Sequence, residues 1–190
     1  MVITVMESGR ILEELSIPLC KATEACSQIA MLQKKWFPNG QCVFAVDCDG
    51  LGGPYLDILR QMISNQLECK FLEIHGSGTS KEATGKDYQN LRAEIAFYVK
   101  AEMEAGNVCL DNDPRAREEA ISEQYFINVR GRLQIEDKED IKERIGRSPD
   151  RWDARKLAIW GLKHAERIRP KSRWDDDEPG LIQPRSFMSA

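Results

Sequence analysis

Histidine is scarce in this chain: His75 and His164 are the only two in 190 residues. A histidine-based metal site, or a Ser-His or Cys-His dyad, is therefore poorly supplied, and any catalysis falls to carboxylates. Long apolar runs are also missing. No run exceeds five residues, Cys42–Val46 being one of that length, whereas a membrane-spanning helix needs about 20. No charged-then-apolar leader opens the sequence, so nothing points to secretion or to a membrane. The six cysteines (Cys20, Cys26, Cys42, Cys48, Cys69 and Cys109) include no C-x-x-C pair. Several lie inside apolar runs, which predicts buried, reduced thiols of a cytosolic protein rather than a disulfide framework or zinc site. Internal repeats are absent as well.

What is present is an ordinary globular composition, 42% apolar and 31% charged, long enough for one domain with a sizeable core. The net charge of −4 is unevenly spread. Residues 1–137 carry 14 basic and 21 acidic side chains, residues 138–173 carry 12 and 6, and residues 174–190 carry 1 and 4. A basic segment on an acidic protein fits a polyanion contact, and equally a solvated helix face.

Residues 3–15 read as a β-hairpin turning at Ser8-Gly9, and 21–36 as an amphipathic helix ending before Pro38-Asn39-Gly40. Cys42–Val46 is apolar without alternation, as in a strand covered on both faces. A loop with Gly50, Gly52 and Gly53 leads to a helix over 54–65, then a strand over 70–74. Residues 75–86 read as a mobile loop, followed by a helix over 87–105 stopped by Gly106. A short strand over 107–110, a helix over 114–123, a strand pair around Arg130-Gly131 and a short helix over 138–145 come next. The last helix opens at Ser148-Pro149-Asp150 and runs to about 168. Residues 1–168 then form the domain, and 169–190 a basic-then-acidic, disordered tail. Strands alternating with helices predict an α/β or α+β domain with a mixed sheet.

Asp47 directly follows the buried strand, where open sheets collect ligands. The three glycines after it allow a tight turn and close approach, and a plain strand-to-helix turn capped by Asp accounts for the same pattern. In the last helix, Ala154, Leu157, Gly161, Ala165 and Ile168 project onto one stripe of about 80°. Asp150 falls on that stripe and Asp153 about 60° to one side. An inward carboxylate is costly unless paired or metal-bound, although acids at a helix N-terminus also complement its dipole. Asp47 with Asp150 or Asp153 suits Mg²⁺ or Mn²⁺, and two such ions support phosphodiester hydrolysis. Lys138, Lys142, Arg144, Arg147, Arg151 and Arg155 lie beside these acids in sequence, as phosphate contacts would. Two weaker motifs stand apart. Residues Ser80 to Asp87 imitate a P-loop but lack its first glycine and its final Ser/Thr. Glu136-Asp137-Lys138 has the E-x-K form of restriction-type nucleases, which assigns the chemistry to Glu136 and Lys138 instead.

The stretch VFAVDCDGLGGPYLDILR resembles the second acidic motif of phage large-terminase nuclease domains. YQNLRAEIAFYVKAEMEAGNVCL and QIEDKEDIKERIGRSPDRWDARKLAIWGL resemble that family's downstream region, in the expected order over residues 2 to 165. The resemblance implies an RNase H-like mixed sheet flanked by helices and a Mg²⁺- or Mn²⁺-dependent endodeoxyribonuclease that cuts concatemeric viral DNA. It implies Asp47 as the second-motif ligand and Asp150 or Asp153 as the third, leaving the choice open; the projection favours Asp150. It also implies duplex DNA, a terminase ATPase domain, a small terminase subunit and a portal as partners, in the host cytoplasm. One departure accompanies it. The family's first acidic motif precedes a strand that here is already Met1–Thr4, so the first strand and its aspartate are expected to be missing. Asp49 and Glu73 are the candidate substitutes. The competing expectation is a catalytically inactive DNA-binding or docking remnant of the packaging motor.

Overall fold

The computed structural model describes residues 1–18, 20–38, 42–49, 52–63, 69–78 and 87–165. Most of the 75–86 loop, the P-loop-like stretch and the 169–190 tail lie outside them. Strands β1 (Val2–Glu7) and β2 (Arg10–Ser16) form the expected antiparallel hairpin. Ser8 (φ 50°) and Gly9 (φ 77°) both take positive φ at its turn, the backbone twist a two-residue hairpin favours. Gly9 is required there, because a Cβ would lie 2.0 Å from the Asn107 carbonyl oxygen. Cys109 donates its amide to Gly9 at 2.8 Å, so the expected short strand is reduced to a single bridge onto the hairpin.

Helix α1 (Ala22–Trp36) follows, then β3 (Val43–Asp47), α2 (Gly52–Ile63) and β4 (Lys70–Ile74). β3 and β4 pair in parallel, with Asp47 opposite Ile74 at their ends. Phe44 and Phe71 stack at 5.1 Å on this pair, against a core of Cys26, Leu59 and Ile63 from α1 and α2. Helix α3 (Leu91–Glu104) is capped by Asn90, whose side chain accepts the Ala93 amide at 3.0 Å, and stops at Gly106 (φ 74°). Helix α4 (Pro114–Ser122), the hairpin β5 (Tyr125–Ile127) and β6 (Leu133–Ile135), α5 (Lys138–Ile145) and α6 (Asp150–Ala165) complete the described chain.

α6 organises the rest. It packs on both β1 and β3, and its Ile159 and Trp160 join Met6, Ile74, Ile95 and Val99 in the main core. Gly161 faces Ala45 and Val43 of β3, so the small-residue stripe does meet the strand. Parallel and antiparallel pairings are both present, as expected of a mixed fold, but they form three two-stranded ladders. Among the described residues β1 and β3 share no ladder, and α6 joins them. All six cysteines are free. Only Cys26 is buried and Cys109 is exposed, so the expectation of buried thiols fails for most of them. No described helix is long and apolar enough to cross a membrane.

Candidate metal and phosphodiester site

β3 delivers Asp47 to the end of the parallel pair, and the chain turns there within its own van der Waals limit. A Cβ on Gly52 would sit 1.7 Å from the Asp47 carbonyl oxygen, so only glycine lets α2 start this close to the strand. Of the three loop glycines, Gly53 meets nothing and Gly50 lies outside the described residues. The Asp47 carboxylate accepts the Asp49 amide at 3.1 Å through Oδ1 and faces Lys138 Nζ at 3.4 Å through Oδ2.

Lys138, the first residue of α5, also lies 2.9 Å from Asp153 Oδ2. One ammonium thus bridges a carboxylate from β3 and one from α6. Asp153 Oδ1 pairs with Lys156 at 3.0 Å, and Lys156 continues to Glu123 at 2.5 Å. Glu123 in turn accepts the Trp152 indole N–H at 3.1 Å and lies 3.8 Å from Arg92. Burial raises the Asp153 carboxyl, but Lys156 and Lys138 outweigh it and hold the group below the usual carboxylate range. Burial likewise pulls Lys138 down, and Asp153 and Asp47 more than restore its charge.

Asp150 lies elsewhere. It is exposed at the first residue of α6 and accepts the Ser148 hydroxyl at 2.5 Å. The projection that placed it inward used angle alone. A helical side chain also leans toward the N-terminus, so at the first residue it points past the end of the helix, while Asp153, one turn deeper, reaches the strand end. Asp49 turns to Ser77 N–H (3.0 Å) and His75 (3.3 Å), and Glu73 to Arg60 (2.6 Å). Neither joins Asp47 and Asp153. Among the described residues no group of three or more His, Cys, Asp or Glu is placed to share a metal ion. Glu136 is bound by Arg144 through both oxygens (2.8 and 2.5 Å) and by the Gln124 amide, so the E-x-K reading loses its carboxylate.

The expected phosphate contacts are largely engaged inside the protein. Arg155 is 2% exposed and pairs with Glu14 at 2.7 Å and Asp111 at 2.8 Å. Arg151 pairs with Glu14 at 2.9 Å and with Asp113. Arg147 pairs with Glu118 at 2.5 Å and Glu119 at 3.4 Å, and Arg144 with Glu136. Of the six, Lys142 alone has no ion pair among the described residues. Sequence reasoning missed Glu14, Arg92, Glu123 and Lys156. Their only signal is charge, and apart from Asp153, one helical turn from Lys156, their partners lie far along the chain.

The fit for a divalent ion is partial. Asp153 Oδ2 is buried and makes no well-angled hydrogen bond, and its one close partner is the Lys138 ammonium at 2.9 Å. Two carboxylates that already share one positive charge match a hard cation that keeps several waters.

No protein-family model matches the sequence, and no curated protein does. Solved structures do match. The nuclease domain of the large terminase subunit gp2 of bacterial virus Sf6 superposes with a TM-score of 0.67 at 15% identity, over 80% of this chain and 78% of that one. A Lys-to-Ala mutant of the same domain, solved with manganese, matches over 80% and 79% with the same score and identity. The large terminase nuclease of thermophilic phage G20c gives 0.57 at 15% identity, over 84% and 73%. This chain therefore has the RNase H-like fold of phage large-terminase nuclease domains.

Proposed function

We propose that this domain is the metal-dependent endonuclease of a viral DNA-packaging terminase, cutting concatemeric duplex DNA. The observation that carries the reading is the convergence of Asp47 and Asp153 on one cation, Lys138, at 3.4 and 2.9 Å. Asp47 and Asp153 would hold Mg²⁺ or Mn²⁺, in line with the manganese and calcium of the Sf6 structures. Such an ion would activate a water and offset phosphate charge. The protein's own residues prepare the place for it. Lys156 fixes one Asp153 oxygen and leaves the other toward Asp47. Gly52 holds the Asp47 backbone against α2. Lys138 neutralises the pair, a role that a bound ion would take over or share. The DNA, the ATPase domain, the small terminase subunit and the portal are its partners in this reading, and the host cytoplasm its place.

A second reading has its own observation: among the described residues only two carboxylates converge, and a lysine already neutralises them. It makes the domain a DNA-binding part of the motor that does not cut. Supercoiled-plasmid nicking in Mn²⁺ separates the two. The nuclease reading expects nicking by the wild type, at least 10²-fold slower in Asp47→Asn and Asp153→Asn and unchanged in Asp150→Asn. DNA binding without nicking supports the second.

A further inference from the structure

We propose that the β5–β6 hairpin is a DNA-contacting arm whose apolar tip enters the minor groove next to the carboxylate pair. This rests on the reading of duplex DNA as substrate. The hairpin exposes Tyr125 (58%), Phe126 (47%), Ile127 (68%) and Val129 (104%), large apolar side chains concentrated in five residues. Such a concentration on a soluble surface marks a contact site.

Its charge selects the partner. Arg130 is exposed and Arg132 half-buried, and neither side chain has a partner among the described residues. Lys138, Arg144, Arg147, Arg151, Arg155 and Lys156 are all held in ion pairs, Lys142 being the one cation of that stretch without an ion pair among the described residues. The hairpin tip is therefore where uncommitted arginines lie closest in sequence to the site. Its roots are in the site as well. Glu123, which holds Lys156, lies two residues before β5, and Lys138 lies three residues after β6.

The tip is built to stay in shape. Asn128 Oδ1 accepts the amides of Arg130 (2.9 Å) and Arg132 (3.1 Å), and Gly131 takes φ 73°. Asn128 Nδ2 is bound to Gln89 at 2.7 Å. The amide side chains nearest the tip are thus committed to the turn, leaving arginine and apolar groups to meet DNA. Arginine with an apolar wedge is the chemistry of minor-groove proteins that bend the duplex, and it is the exposed apolar side chains that favour that groove, since arginine alone also reads guanine in the major groove. The arm consequently binds without sequence preference and kinks what it binds.

The test is anisotropy and end-to-end FRET on a labelled duplex in EDTA, where no cleavage occurs. The Arg130→Ala/Arg132→Ala variant is expected to bind about tenfold more weakly, with a salt slope smaller by about two. Val129→Ser, a change at a fully exposed position, is expected to keep most of the affinity and lose the bend. Wild-type affinity in the double arginine variant, or an unbent duplex on the wild type, overturns the arm. So does a wild-type dimer that Val129→Ser dissociates with DNA binding unchanged, which assigns the face to a second copy. Binding and bending in EDTA without nicking in Mn²⁺ leave the arm standing and remove the nuclease. No duplex binding at all removes both.

Discussion

Arg155 illustrates how far a charged residue's sequence context can mislead. It stands in a basic segment, four residues from Arg151, as a phosphate contact would. The fold instead seats it between Glu14 and Asp111 at 2% exposure. Removing one partner of a buried ion pair strands the other charge, at a cost of about 3 kcal/mol or more. Arg155→Ala should therefore lower the free energy of unfolding by that order in chemical denaturation, where a DNA-contacting surface arginine would change it by about 0.5 kcal/mol or less. Asp153 gives the matching prediction in pH. Lys156 and Lys138 depress its folded-state pKa, so ionised Asp153 stabilises the fold above the unfolded carboxylate value of about 3.9. That contribution is lost as pH falls below it, through the lower folded value. Asp153→Asn should flatten the acid limb of a stability–pH curve between about pH 5 and 2 while lowering stability at neutral pH. An unchanged acid limb removes the ion-pair account of Asp153.

At the scale of elements, periodicity and punctuation were sufficient for most of the chain. The Ser8-Gly9 turn, the non-alternating β3, the Gly106 stop and the Arg130-Gly131 hairpin all read directly, because each is set by neighbours within a few residues. The site was half legible. Asp47 follows from its place at a strand end. That Asp153 and not Asp150 lies beside Asp47 does not follow from angle, because it depends on depth along the helix. The partners of Arg151 and Arg155 are out of reach of any local reading, since Glu14 lies 137 and 141 residues away. The junction between β3 and α2 is the element-scale feature most exposed to test. Gly52→Ala places a methyl 1.7 Å from the Asp47 carbonyl, so strand end and helix start must separate. The expected result is a loss of about 1–3 kcal/mol together with weaker Mn²⁺ binding, whereas Gly53→Ala, with open space around it, leaves binding unchanged.

Across the whole molecule, the uneven charge has a different use from the one composition suggests. The basic residues from Lys138 to Lys156, Lys142 apart, pair with acids of β2, β3, α4, α6 and the 111–136 region, and these pairs tie the last helices to the body. Among the described residues, Lys142 of α5 and the arginines of the hairpin tip stay outside these pairs. The central claim, that Asp47 and Asp153 form the metal-holding pair in a terminase-type nuclease fold, is tested most directly by Mn²⁺ titration calorimetry. Wild type and Asp150→Asn are predicted to bind Mn²⁺ with the same affinity, and Asp47→Asn and Asp153→Asn to lose it. A wild type that takes up no Mn²⁺, or binding lost in Asp150→Asn and kept in Asp153→Asn, would contradict it.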